Sequence, residues 1–188
     1  MRTGEPESWL AEHGDALFRF AALRVRDATT AEDLVQETFL AALTQRDFRG
    51  DAAERTWLVA ILRNKICDHL RKRCRELPLS PDEEGDAVVD GLFHPAGHWK
   101  RLPLACDYDP AQLSENAAFW AAFRVCRDAL PERQAAAFTL RCLDDAPAEA
   151  VCQELGISPT NLWVLLHRAR TRLRACLEAG WFGKEGSA

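Results

Sequence analysis

The chain has 188 residues, 47% of them hydrophobic, which is long enough to bury one core or two small ones. Its net charge of -5 excludes a uniformly basic nucleic-acid binder, but Asp82, Glu83, Glu84, Asp86 and Asp90 lie together and leave basic segments elsewhere. The opening MRTGEPESWLAEHG lacks a long apolar run and no segment approaches membrane-spanning length, so a cytoplasmic protein without membrane insertion is expected.

From Ser8 to Val25 the residues Trp9, Leu17, Phe18, Ala21, Ala22 and Val25 recur at intervals that suit an amphipathic helix, which breaks at Arg26-Asp27-Ala28. Thr29 with Glu32 fits a capping box that opens a second helix through about Leu43. On it Val35, Thr38, Phe39 and Ala42 share one side. Asp33, Gln36, Glu37 and Leu40 share another, because residues three, four and seven apart line up. The first side is core. The second is an acidic, hydrogen-bonding strip, open to two readings: solvated surface or a docking site for a basic helix.

Phe48-Arg49-Gly50-Asp51 forms a loop, and a third helix follows from about Ala53 to Arg73, with Trp57, Leu58, Ile61, Leu62, Ile66 and Leu70 as its apolar stripe. Arg63, Lys65, Arg71, Lys72, Arg73 and Arg75 against Asp68 make its second half cationic. A basic helix behind a loop of aromatic and arginine residues suits separated nucleic-acid strands, whose bases stack on rings while the backbone follows positive charge. A solvated cationic rim is the alternative.

Residues 76–113 break any helical period with Pro78, Pro81, Pro95, Pro103 and Pro110 and with Gly85, Gly91 and Gly97, and read as an interdomain linker. Phe93, His94, Trp99 and Tyr108 are more aromatic content than a purely flexible linker carries. The spacing of His94, His98 and Cys106 matches no zinc signature, so no metal and no cofactor is expected. Seven cysteines, at 67, 74, 106, 126, 142, 152 and 176, contain no CxxC pair, and reduced, mostly buried thiols are expected.

Ser114 fits the cap of a helix from Glu115 to Ala129 with Phe119, Ala122, Phe123 and Cys126 inward, and Leu130-Pro131-Glu132 restarts a helix carrying Ala135, Phe138, Thr139 and Cys142. Asp145 as a cap before Pro147 at a first helical position opens the next helix, which Gly156 ends by accepting left-handed backbone. Ser158 caps the following helix, with Pro159 in its first turn. Two short helices around a turn with glycine form a helix-turn-helix, whose second helix commonly enters the major groove. That helix buries Leu162, Leu166, Ala169 and Leu173, and carries His167, Arg168, Arg170, Arg172 and Arg174 with no acidic residue between Ser158 and Cys176, a surface suited to phosphates. Gly180 is expected to close it, with Trp181-Phe182 folding back as an apolar cap. No phosphate-cradling glycine loop or nucleophile constellation appears, and no enzymatic chemistry is expected.

The succession AEDLVQETFLAAL, FRGDAAERTWLVAILRNKICDHLRKR, LPERQAAAFTL and GISPTNLWVLLHRARTRLR resembles the extracytoplasmic-function sigma factors, the reduced members of the sigma-70 family that keep only the second and fourth conserved regions. The resemblance spans the chain apart from the connector and the ends. It implies an all-α fold of two small helical domains joined by a loop-rich linker. These are residues 1–75, a three-helix bundle of sigma region 2; the linker 76–113; and residues 114–188, the region 4 helix-turn-helix.

The same resemblance implies a transcription initiation factor that binds core RNA polymerase, recognises promoter DNA and helps melt the minus-ten element. Asp33, Gln36, Glu37 and Leu40 match positions that dock on the clamp of the largest polymerase subunit, while region 4 meets the flap of the second largest. Phe48, Arg49, Arg55 and Trp57 match the minus-ten loop and its exit, where a base is flipped out, and Arg63, Asn64, Lys65, Arg71, Lys72 and Arg73 match the helix that holds the promoter. Ser158, Thr160, Asn161, Trp163, Val164, His167, Arg168 and Arg170 match the reader of the minus-thirty-five element. An anti-sigma factor is the implied inhibitory partner.

The sequence departs from the family in placing Trp163 and Leu165 where many relatives carry a lysine and an arginine on the groove side. A leucine cannot donate the paired hydrogen bonds an arginine offers guanine, so base reading is left to Thr160, Asn161 and His167 or to DNA shape. Two other functions fit parts of the pattern: a stand-alone helix-turn-helix regulator that binds operator DNA without polymerase, and a helical adaptor that binds no DNA.

Overall fold

A computed structural model of the chain describes residues 6–44, 53–76, 91 and 116–182. Among them are seven α-helices, two single π-helical turns and no strand, as the all-α expectation requires. The chain divides into two compact units, Met1–Arg73 and Cys74–Ala188. Phe48 and Arg49, expected to meet the minus-ten element, the residues His94, His98 and Cys106, and Ser114 lie outside the described residues.

In the first unit, α1 (Pro6–Ala22) packs along α2 (Ala28–Thr44), and α3 (Glu54–Glu76) follows. The core collects Trp9, Leu17 and Ala21 from α1, Leu34, Val35, Thr38 and Ala42 from α2, and Leu58, Leu62, Ile66 and Leu70 from α3. Each leucine or isoleucine taken fully out of water contributes about 1.5–3 kcal/mol, so the four-residue spacing in α3 decides which of its faces turns inward. The buried Thr38 hydroxyl is satisfied by donating to the Leu34 carbonyl at 2.7 Å. Trp9 meets Trp57 edge-on, with ring centroids 5.7 Å apart, joining α1 to the first turn of α3.

The cap of α2 is Asp27, not Thr29. The Asp27 carboxylate accepts the Thr30 amide at 2.7 Å and the Thr30 hydroxyl at 2.6 Å. Both bonds favour the charged form, and with the charge of His69 they hold the carboxyl below its usual pKa. A carboxylate accepting two bonds outcompetes the single hydroxyl of Thr29, which explains the shift of the helix start by two residues.

In the second unit, α4 (Ala117–Asp128) starts at Asn116, whose side chain accepts the amides of Ala118 and Phe119. The helix thus opens later than a Ser114 cap implies. After Pro131, α5 (Glu132–Phe138) relaxes into a π turn, Thr139–Leu143. Two expectations fail around the next helix, α6 (Ala148–Leu155). Asp145 takes a left-handed conformation with φ 51 and pairs with Arg141 at 3.1 Å, while Pro147, in extended backbone, occupies the cap position itself. Proline has no side-chain acceptor, so α6 begins without a side-chain cap. Cys142, expected inward, is exposed, because the π turn adds a residue and rotates the positions that follow Phe138.

The last α-helix, α7 (Pro159–Leu177), packs against α4, α5 and α6. It continues directly into a π turn, Glu178–Phe182, so Gly180 does not end it. Phe123, Cys126, Leu130, Ala135, Ala169 and Leu173 form the core, flanked by Trp120, Phe138, Leu143, Cys176 and Leu177. Trp181 folds back edge-on to Phe119, at 6.0 Å between ring centroids, as the expected apolar cap.

The cysteine expectation is corrected here: Cys126 on α4 and Cys176 on α7 form a disulfide. Their helices cross within one core and bring the two Cα atoms to 5.7 Å, inside the range a disulfide spans. Among the described residues, Cys67, Cys74, Cys142 and Cys152 are cysteines outside this disulfide.

Candidate nucleic-acid interface

The helix-turn-helix is built from local chemistry. Gly156 ends α6 with φ 64, a left-handed backbone that costs an L side chain about 1 kcal/mol or more, and its amide returns to the Cys152 carbonyl. The Ile157 amide donates to the same oxygen at 3.0 Å. Two residues later the Ser158 hydroxyl accepts the Asn161 amide at 3.2 Å, and Pro159 fills the first turn of α7. The chain therefore turns within three residues and leaves the N-terminal end of α7 exposed, where Ser158, Thr160 and Asn161 sit in solvent.

The long axis of α7 separates two faces. Leu162, Leu165, Leu166, Ala169 and Leu173 are buried against α4, α5 and α6. Thr160, Val164 and His167 follow each other at i, i+4 and i+7 on the opposite side, all exposed, with Trp163 and Arg170 exposed beside them. Arg168 is half-buried. The expectation that Leu165 faces the groove is wrong: it is 3% exposed and belongs to the core. Trp163, by contrast, is 55% exposed.

The arginines of α7 differ in what they touch. Arg174 pairs with Glu178 at 3.0 Å, one turn on, and Arg170 approaches the Cys142 sulfur at 3.5 Å. The acid-free stretch therefore ends at Glu178, which pairs with the last arginine of the helix.

In the first unit, α2 presents Asp33, Gln36, Glu37 and Leu40 on one exposed strip. Leu43, one turn beyond Leu40 and 53% exposed, extends it. Its spacing of three residues from Leu40 was the available signal. On α3, Arg63 and Asn64 are exposed, as are Arg55, Lys72 and Arg73, and Trp57 is half-buried against Trp9. Arg71 pairs with Asp68 at 2.8 Å.

The two strips touch: Lys65 of α3 donates to the Glu37 carboxylate of α2 at 2.9 Å. The pair fixes the acidic strip beside the basic helix. At the other end of α3, the His13 and Glu54 side chains approach to 3.7 Å with Glu12 nearby, tying α1 to the start of α3.

Known proteins match this arrangement unit by unit. A family model for sigma-70 region 2 matches residues 9–76, and one for sigma-70 region 4 matches residues 121–173. A probable RNA polymerase sigma factor of Haemophilus influenzae is 37% identical over 168 residues, covering 86% of this chain and 84% of that protein. The extracytoplasmic-function RNA polymerase sigma factor SigM of Bacillus subtilis is 27% identical over 164 residues, 87% of this chain and 90% of its own. A solved structure of the sigma factor RpoE with the anti-sigma factor NepR from Bartonella quintana aligns at a TM-score of 0.44 and 25% identity, covering 93% of this chain and 97% of that one. With both regions in order and a relative similar over nearly its whole length, the chain belongs to the sigma-70 family as a transcription initiation sigma factor of the extracytoplasmic-function group.

Proposed function

We propose that the chain grips core RNA polymerase and separated minus-ten strands with residues 1–75, and upstream duplex with residues 114–188, across the connector 76–113. The observation that carries the proposal is the charge division between exposed faces. α2 offers Asp33, Glu37 and two exposed leucines, Leu40 and Leu43, while α3 and α7 carry cations. The acidic strip suits the polymerase clamp, and the flap of the second-largest subunit receives the second unit. On α3 the exposed cations Arg63, Lys72 and Arg73, with Asn64, follow a melted strand. Flipping a minus-ten base costs a few kcal/mol, and contacts from this face and the loop before it recover that cost.

The chain supplies no covalent step. Binding energy directed at melted DNA is its contribution, and the polymerase performs the chemistry. No helix among the described residues is long and apolar enough to cross a membrane, and we place the protein in the cytoplasm, where polymerase and promoters are. An anti-sigma factor that covers these faces is the proposed inhibitor.

The test is in vitro transcription with purified core polymerase on a library of upstream regions. Core enzyme with this chain is expected to start from a defined subset of them, and core enzyme alone from none. Specific binding by the chain without polymerase, as a dimer on a two-fold site, would instead favour the operator-binding reading. For the docking strip, Asp33→Lys is the cleaner variant, because Glu37→Lys also breaks the pair with Lys65. Retained capture of core enzyme by folded Asp33→Lys protein would refute the assignment.

A further inference from the structure

α7 carries two exposed apolar side chains where a DNA-reading helix normally meets base edges. Trp163 is 55% exposed and Val164 40% exposed, in the second turn after the Ser158 cap. They are the only large hydrophobics left in solvent on this helix among the described residues, while Leu162, Leu165 and Leu166 around them are at most 3% exposed. The fold therefore has no use for them as core. Val164 lies in the line of Thr160 and His167, all three exposed, before the line is covered at Thr171.

The surroundings identify the occupant of this apolar spot. The 19-residue helix has no acidic residue, and Arg168, Arg170 and Arg172 follow within three turns. An apolar tip on a cationic helix behind a capped turn complements duplex DNA: phosphates meet the arginines while the tip reaches the groove floor. The base edge that offers an apolar group in the major groove is thymine, through its 5-methyl. Guanine, by comparison, calls for a bidentate donor, and neither Trp163 nor Val164 has one.

Resting on the assignment of α7 as the upstream reader, we infer that Trp163 and Val164 recognise thymine 5-methyl groups in the upstream promoter element. Burying the methyl against the indole and the isopropyl group removes apolar surface of both partners from water. Thr160, Asn161 and His167, exposed on the same face, supply the polar contacts around it. The upstream element is accordingly read at this spot by methyl contacts rather than by a bidentate donor to guanine.

The experiment uses holoenzyme reconstituted from core polymerase and the full chain. Promoter selection defines the upstream element; each thymine in it is then replaced by deoxyuridine, which lacks only the methyl. Promoter-complex formation is expected to fall roughly fourfold for each contacted methyl, the factor for one buried CH₂-sized group. In the folded W163A/V164A double variant the same replacement is expected to have no effect, because the methyl has lost its partner. An element without thymine, or equal binding of thymine and deoxyuridine by the wild-type holoenzyme, overturns the inference while leaving upstream reading by α7 intact. A holoenzyme whose initiation is unchanged when the upstream element is scrambled overturns that assignment and this inference with it. Undiminished upstream preference in the double variant also overturns the inference, and points to a protein partner as the occupant of the apolar spot.

Discussion

Removing the Cys126–Cys176 disulfide is expected to loosen the second unit while leaving the first unit unaffected. The two cysteines stand 50 residues apart and enclose α5, α6 and nearly all of α7. In the chain-entropy account, a cross-link closing a loop of that length restricts the unfolded ensemble by about 4 kcal/mol. With a urea dependence of about 1–2 kcal/mol per molar for a small unit, reduction should lower the unfolding midpoint by roughly 2–4 M. Hydrogen-exchange mass spectrometry across a urea series, followed on peptides from α4 and α7 separately from those of α1 and α2, measures this directly. The oxidised chain, the reduced chain and the Cys126→Ser/Cys176→Ser variant should be compared, the last two behaving alike. Alkylation before and after reduction should add two labels, on Cys126 and Cys176. Equal midpoints for α4 and α7 in the oxidised and reduced chains would refute the reasoning, as would an equal shift in α1 and α2.

Leu165→Ala should destabilise the second unit by about 2–5 kcal/mol, since it empties a buried site, whereas Trp163→Ala should change stability by less than about 0.5 kcal/mol; denaturant titration of the two variants reverses this order if α7 is rotated. Asp27→Ala should cost about 0.5–2 kcal/mol of the first unit's stability through loss of the α2 cap, read from the same titrations. Because the folded pKa of Asp27 lies below its unfolded value of 3.8, that contribution is present above about pH 4 and is lost as pH falls through the folded pKa; wild type and variant should converge in acid. Arg63→Ala changes an exposed cation of α3, so it should move stability by less than about 0.5 kcal/mol yet reduce promoter opening, seen as fewer permanganate-reactive thymines. Unchanged opening would sever α3 from the melted strand.

The helix-turn-helix was legible because its determinants act within a few residues. Glycine tolerates φ 64 at position 156 and the Ser158 hydroxyl reaches the Asn161 amide whatever packs around them. The inward stripes of α2, α3 and α7 were legible for a similar reason, since the helical repeat alone aligns Leu58, Leu62, Ile66 and Leu70. Local chemistry misled at helix starts where two local solutions compete. Asp27 and Thr29 are both capable caps, and Asp145 and Pro147 are both plausible openers of α6, so a small free-energy difference selects between them.

What the sequence determined by itself is therefore the succession of helices, their inward stripes, the turn before α7 and the segregation of charge, all properties of neighbours along the chain. The tertiary structure decided which borderline positions are covered and which distant groups meet. Leu165 lies at the edge of the α7 stripe, and the helices packed beside it bury it, while Trp163, two residues earlier, stays in solvent. Cys126 with Cys176 and Glu37 with Lys65 pair only because separate helices bring them together. Sequence spacing of 50 and 28 residues carries no information on such meetings, because they depend on how whole helices pack rather than on the repeat of any one of them.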